Sequence, residues 1–437
     1  MKRIKSFFVI TILGVALFAS QYYFHKWDGN SILYGGDHWG YYSYLPAVFI
    51  HHDLDNLKLS LTARNHENWN QSFDTTKPLL VPELSYPKDG RTPVIKYTYG
   101  VAVLQFPFFY IAHLLTPHFN YVANGYTKIY FIGLQVSLLF YCLIGFWLLQ
   151  KTLLRYFSQL VTAVTLFAIG FGTNLYFFLV ATQPMAHVYL FFLFSLLMFS
   201  VVRFYENKTW SHAMLIGICS GLIAVIRPNE ILCLVIPLLY GVKAMPDLKN
   251  RLTLLLAEWK KFLLSIFFFL IPVAILIAYW KTMSGHWLYY SYPGEEFSFF
   301  HAHIVEGLFG FSNGWLAYTP IMYIAFIGIP FVFVRVKEWR IPLLIFVPIH
   351  VYIIYSWWCW NYINGFGSRP MVEMYALLSI PFAAFLEYSF SKKIFTNWDN
   401  DRIAFFCFSK CFSNMAGLQQ HAGKRAWQFC FYQKHAF

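Results

Sequence analysis

The feature that most constrains this chain is a repeated alternation of long apolar runs with short basic stretches. The runs cover residues 6–24, 129–149, 161–182, 187–202, 213–226, 231–242, 262–280, 315–334, 341–358 and 371–388. A helix rises 1.5 Å per residue and crosses roughly 30 Å of hydrocarbon in about 20 residues. The pattern therefore predicts an all-α polytopic membrane protein, a bundle of about ten transmembrane helices. Hydrophobic residues make up 58% of the chain and charged residues 12%, against roughly 25% charged in soluble domains. That excludes a soluble enzyme. The formal net charge of +13 would suit a nucleic acid only if the basic residues were clustered on one surface. They fall instead between the apolar runs, so no nucleic-acid partner is expected. The seven cysteines show neither a CxxC nor a Cys/His metal spacing. No cofactor is called for; a divalent metal is compatible with the sequence, but no residue is assigned as its ligand.

The basic residues also orient the bundle. Short stretches carrying Lys2, Arg3, Lys5; Lys151, Arg155; Arg203, Lys208; Lys243, Lys249, Arg251, Lys260, Lys261; Arg335, Lys337, Arg340; and Lys392, Lys393 total 17 Lys/Arg. By the positive-inside rule these lie in the cytoplasm, with the N-terminus. The first run follows Met1-Lys2-Arg3-Ile4-Lys5 and has no small-x-small cleavage site after it, which reads as an uncleaved helix rather than a signal peptide. The segment 100–115 is ambiguous, being short and carrying Gln105, Pro107 and His113. Letting it cross would put every later basic stretch outside, so it is expected to be an interfacial helix. Residues 21–128 then form one long external loop, rich in aromatics that suit the membrane interface. The run 231–242 is short for a crossing, and either extends through its polar neighbours or is partly re-entrant.

A set of charged residues maps to the outer ends of helices or to external loops: Asp37, Asp53, Asp55, Lys96, Arg227, Glu230, Glu295, Glu296, Arg369 and Glu373. Transport pathways place ionisable groups near mid-span; a ring of charge at one rim suits a site fed by a lipid headgroup. Four stretches stand out. In Gly35-Gly36-Asp37-His38-Trp39-Gly40-Tyr41-Tyr42, an ionised Asp37 would accept or orient a hydroxyl proton, or merely close a glycine-flanked turn. In Ile95-Lys96-Tyr97-Thr98-Tyr99-Gly100, Lys96 would meet a phosphate or snorkel beside headgroups. In Ile226-Arg227-Pro228-Asn229-Glu230, Arg227 would grip phosphate with its planar fork or pair with Glu230. The fourth runs from Trp357-Trp358-Cys359-Trp360 through Gly365-Phe366-Gly367-Ser368-Arg369-Pro370 to Glu373; its glycines let backbone approach a ligand beside Arg369, and its tryptophans also suit an interfacial belt. His187 begins its helix after Gln183-Pro184, a position for a capping histidine as much as a chemical one.

Taken in order, these stretches resemble the GT-C superfamily of polyprenyl-phosphate-sugar glycosyltransferases, and within it the protein-mannosyltransferase and aminoarabinose-transferase group. The likeness is carried by Asp37 to Tyr42, Lys96 to Gly100, Gly221 to Pro228, Asn313-Gly314 with Tyr318-x-Pro320, and Trp358 through Gly367-Ser368-Arg369. It covers residues 1–390. It implies a GT-C-like bundle with interfacial helices in the long first loop, in a bacterial cytoplasmic membrane. It also implies transfer of a sugar from a polyprenyl phosphate to a glycan, lipid or protein acceptor at the outer face, usually with inversion. Asp37 would be the catalytic carboxylate; Lys96, Arg227 and Arg369 would hold the donor phosphate, with Tyr41, Tyr99 and His187 lining the substrate site. Gln183-Pro184 stands where relatives often carry an acidic residue. No sizeable C-terminal soluble domain follows, and the tail 391–437 has no family-like pattern. A shifted reading frame or truncated gene is one account of that tail, which the other frames of the coding DNA would test. A transporter or flippase, or a polymerase or ligase, of lipid-linked saccharides is the alternative.

Overall fold

The computed structural model describes residues 6–24, 27, 36–69, 81–89, 91–182, 184–362 and 365–392. Lys2, Arg3, Lys5, Gly35, Gln183, Lys393 and the tail with Cys407, Cys411 and Cys430 lie outside the described residues. Within them the chain is all-α apart from an antiparallel pair of two-residue strands, Leu84–Ser85 and Val94–Ile95. Each of the ten apolar runs is helical. Among the described residues six helices are long and apolar enough to cross a membrane, and seven if one bent pair counts as a single span. This is the construction of an integral membrane protein. Ten crossings are not reached on length alone: Phe8–Tyr23, Trp210–Ile226, Pro228–Leu239 and Pro320–Arg335 are shorter.

Local chemistry explains the breaks. Gln159–Gly172 and Asn174–Val180 meet at 61° because Thr173 adopts extended backbone and its hydroxyl takes the Leu175 N–H, a side-chain cap that starts the second piece. The short run at 231–242 does extend through polar neighbours. It begins at Pro228 as a 3₁₀ stretch, Pro228–Leu234, before Val235–Leu239. A 3₁₀ helix rises about 2.0 Å per residue against 1.5 Å for α, so few residues reach further. Met245–Ala257, between apolar runs, is a further helix; Asp247 accepts the Lys243 and Ala244 N–H groups at its start.

The buried axis of the bundle runs along Ala186–Asn207 and Arg369–Ser391, whose apolar windows are 78% and 83% enclosed. Trp259–Ser284, the most apolar of the candidate spans, is only 17% enclosed. A helix apolar all round yet uncovered by protein has lipid as its remaining solvent. It packs on Trp210–Ile226 through a small-residue stripe: a Cβ on Gly217 would land on the Ser265 carbonyl, and one on Gly221 within 2.6 Å of the Phe269 carbonyl. Such glycines let backbones approach where no hydrophobic effect drives helices together. Gly328 makes the same close approach to the Pro381 carbonyl.

Charges separate to the two ends of the axis. His187 and Glu206 are about 28 Å apart along one helix, at 1.5 Å per residue. At the Glu206 end gather the pairs Arg155–Glu206, Lys208–Glu258, Lys261–Glu258, Lys243–Glu338 and Arg335–Glu387. A cavity lined by Tyr205, Glu206, Tyr240, Asp247, Arg251 and Glu338 also lies there, far from His187. The segment after the first helix covers the other end around its own apolar cluster of Trp39, Tyr42, Leu61, Ile95, Phe109 and Tyr130. Asp53 is structural in it, accepting the Ser60 N–H at 2.9 Å and the Ser60 hydroxyl at 2.6 Å. Gly100–Leu115, which passes for a span on length when continued to Phe119, starts against Val225 and Ile226 and ends with His113 bonded to Tyr130. Those partners are the last turn of Trp210–Ile226 and the first turn of Lys128–Leu153. Both ends of this helix therefore sit at the His187 end of the bundle.

Candidate active site

Asp37 is the first residue of the short helix Asp37–Tyr42, entered through Gly36 at φ 80°, a conformation that favours glycine. Its Oδ2 lies 3.0 Å from Arg369 Nη2, and its Oδ1 accepts the Tyr97 hydroxyl at 2.7 Å. Gly40 makes the second contact possible, since any Cβ there would occupy the space of the Tyr97 ring. Burial raises the Asp37 pKa, but Arg369 and Tyr97 outweigh it and hold the carboxyl below its usual 3.8. The Tyr97 hydroxyl is pushed well up by burial and then by Asp37, so it remains a donor. Asp37 is thus an ionised carboxylate with a fixed orientation, not a turn residue bonding its own backbone.

Arg369 opens the 3₁₀ turn Arg369–Met374, and Glu373 follows one turn later. The loop before it, with Gly367 at φ 66°, is held by Asn174: its amide donates to the carbonyls of Phe366 at 3.2 Å and Ser368 at 3.1 Å. The Tyr375 hydroxyl bonds Asn174 in turn. Arg227 ends its helix in extended backbone, φ −141° and ψ 107°, as a residue before proline tends to do. Its Nη1 lies 3.0 Å from Glu373 Oε1, and His187 Nδ1 lies 2.9 Å from the same oxygen. Arg227 therefore pairs with Glu373 rather than with Glu230. His187 is buried and holds Glu373 through this contact.

Lys96 forms an ion pair with Glu295, whose other oxygen accepts the Trp358 indole N–H at 3.2 Å. Lys96 also lies 4.8 Å from the centre of the Tyr292 ring, which in turn meets Tyr97. Its ammonium is thus part-buried and ion-paired. Tyr41 packs on Tyr97 at 5.0 Å between ring centres. Of the residues singled out in the sequence, Asp37, Arg369, Arg227, His187, Tyr41 and Lys96 thus belong to one connected network. Tyr99 does not reach it. Its hydroxyl donates to the Pro272 carbonyl at 2.8 Å and its ring meets Tyr44, which ties the segment after the first helix to Trp259–Ser284.

Four participants escaped the sequence reading. Tyr97 stood inside a quoted motif without a role, and Asn174 and Tyr292 gave no local signal. His350 is the fourth: it lies within an apolar run, where an ionisable residue is by default a functional candidate, and that signal was there to be read. It sits five residues before the end of Arg340–Tyr355, about 8 Å along the helix, so the spans are less free of ionisable groups than expected. Its Nδ1 is 3.2 Å from Glu230 Oε2, and donor atoms of Glu230, His350 and Glu373, all buried, lie within 4.8 Å of one another.

Chemically the network offers an ionised carboxylate beside two guanidinium groups, Arg227 being near enough to act electrostatically on Asp37. Asp37 suits taking or orienting a hydroxyl proton, and the guanidinium forks suit phosphate oxygens. Comparisons with protein-family models, curated proteins and solved structures give no match.

Proposed function

We propose that this chain is a membrane glycosyltransferase that moves a sugar from a polyprenyl-phosphate donor to a glycan, lipid or protein hydroxyl, with inversion. The observation that carries the reading is the meeting of Asp37, Arg369 and Arg227 at one end of the bundle. Asp37 takes the acceptor proton as the oxygen attacks the sugar carbon; Arg227 and Arg369 stabilise the charge that builds on the departing phosphate. In this reading the basic end faces the cytoplasm, the runs make ten crossings, Gly100–Leu115 lies along the outer interface, and the site opens to the outer leaflet.

The His350–Glu230 contact inside the bundle favours a second reading, a transporter of lipid-linked saccharide. Against it, among the described residues no further fully buried carboxylate, imidazole, ammonium or guanidinium continues from that layer to the basic end. The deciding experiment is transfer by purified wild type and Asp37→Asn with a panel of polyprenyl-phosphate sugars and acceptor lipids. A loss of about 10²–10⁴-fold is expected for a missing general base. Undiminished transfer by the variant removes the catalytic assignment, and movement of the lipid-linked sugar between leaflets without transfer favours the transporter.

A further inference from the structure

The structure assigns a divalent transition-metal site to Glu230, His350 and Glu373, in the layer beneath the Arg227–Arg369 cluster. Three elements bring it together: the 3₁₀ stretch Pro228–Leu234, the helix Arg340–Tyr355 and the 3₁₀ turn Arg369–Met374. Glu230 and Glu373 are fully enclosed and His350 is 1% exposed. One oxygen of each carboxylate is already committed: Glu230 Oε1 accepts the Asn229 amide at 2.6 Å, and Glu373 Oε1 faces Arg227 and His187. The other oxygen of each, Oε2, is buried with no hydrogen-bond donor. A buried carboxylate oxygen left bare is costly, and here two of them converge.

The histidine points the same way. Its Nε2 lies 3.4 Å from the Pro370 carbonyl, which can only accept, so Nε2 carries the hydrogen in that contact. A carbonyl on the far nitrogen is the common outer-shell arrangement of a metal-binding histidine. In the neutral ring Nδ1 then presents a lone pair, and it faces Glu230 Oε2 at 3.2 Å outside hydrogen-bond geometry. Lone pair against carboxylate oxygen is repulsive, so the contact needs a cation between the two, either a proton on Nδ1 or the metal ion, and the two bare carboxylate oxygens beside it favour the metal. Ligand atoms around a tetrahedral zinc stand about 3.4 Å apart, from bonds of roughly 2.1 Å. The His350–Glu230 pair is already at that spacing, and the widest pair, within 4.8 Å, needs to close by about 1.4 Å to reach it. One imidazole and two carboxylates suit a first-row divalent ion such as Zn²⁺ or Mn²⁺. Its role would be positioning: it fixes the far side of Glu373, whose near side holds Arg227.

The test reads metal directly and does not depend on sugar transfer, so it fails or succeeds separately from the proposed function. The full chain, purified in detergent without chelator, is incubated with Zn²⁺, dialysed and assayed for bound metal by mass spectrometry. About one equivalent is expected in wild type, less than a fifth of that in His350→Asn and Glu230→Gln, and partial recovery in Glu230→Asp. Co²⁺ in place of Zn²⁺ should give visible d–d bands in wild type that His350→Asn changes, which separates this site from adventitious surface binding. Variants are first checked for a monodisperse elution profile; should both fail to fold, the Co²⁺ spectrum of wild type decides. A folded wild type that takes up no Zn²⁺ and shows no Co²⁺ bands, or one whose metal content is unchanged by both substitutions, overturns the assignment.

Discussion

Replacing Arg369 by Met separates the two forces acting on Asp37. The guanidinium lies 3.0 Å from the carboxylate, with side chains 19% and 23% exposed. A fully exposed pair contributes about 0.2–1 kcal/mol, and breaking a fully buried one costs about 3–5 kcal/mol. This pair falls between, so the expected loss is on the order of 2 kcal/mol, or about 30-fold in the folded-to-unfolded ratio. The pH dependence gives the sharper signal. In wild type the carboxyl lies below 3.8 because Arg369 and Tyr97 outweigh burial. The stabilisation it contributes is fully present above the unfolded value and is lost only as pH falls through the lower folded value. Without Arg369, burial is left opposed mainly by Tyr97, and the group titrates at higher pH. The acid limb of transfer rate against pH, and of the thermal unfolding midpoint against pH, should both move upward in Arg369→Met. Arg369→Lys should move them less, since it restores charge without the planar fork. Superimposable acid limbs for wild type and Arg369→Met would refute the claim that this pair sets the ionisation of Asp37.

Gly40→Val should push the Tyr97 ring from its seat; transfer should fall to a level close to that of Tyr97→Phe, and combining the two should add little, because both remove one hydrogen bond. A Gly40→Val enzyme as active as wild type would contradict the packing. Gly217→Leu forces a side chain against the Ser265 carbonyl and should destabilise the protein by about 1–3 kcal/mol, read as a lower unfolding midpoint in detergent; an unchanged midpoint would deny the close helix contact. Arg227→Lys keeps the charge but loses the fork, so affinity for polyprenyl phosphate should drop at least about tenfold, a difference of 1.4 kcal/mol. Equal binding isotherms for the two proteins would leave Arg227 with a purely structural role.

Much of the fold was legible because hydrophobic length is a local property. All ten apolar runs are helices, and even the doubtful run at 231–242 showed its device, a start at Pro228 that draws in Asn229 and Glu230. For Gly100–Leu115 the charge count argues against a crossing while length and hydropathy allow one when the helix is continued to Phe119; its first residue meets Val225 and Ile226 and His113 near its end meets Tyr130. What was not legible is pairing over distance. Arg227 could be offered only its neighbour Glu230, whereas its partner Glu373 lies 146 residues away. Lys96 meets Glu295 across 199 residues, and Asn174 reaches the 366–368 loop across 192. Tyr97 and Tyr99 look equivalent in the sequence, two residues apart in one motif. Only packing separates them, since the gap left by Gly40 admits the first while the second is tied to Pro272.

Both arginines of the network are bonded to carboxylates, which at first sight leaves nothing for a phosphate. The count of donors says otherwise. A guanidinium has five N–H groups in a rigid fork, and the carboxylates engage Nη2 of Arg369 and Nη1 of Arg227. A flexible ammonium held by one carboxylate could turn its remaining hydrogens anywhere; a planar fork held at one nitrogen has its other donors fixed in direction. Asp37 and Glu373 therefore aim the two forks as well as neutralising them. In the proposed reaction Asp37 would also take the acceptor proton, and that shared duty would tie proton acceptance to phosphate grip. A substrate that draws Arg369 toward its phosphate also loosens the ion pair that holds the Asp37 carboxyl low, making it a stronger base as the leaving group is engaged.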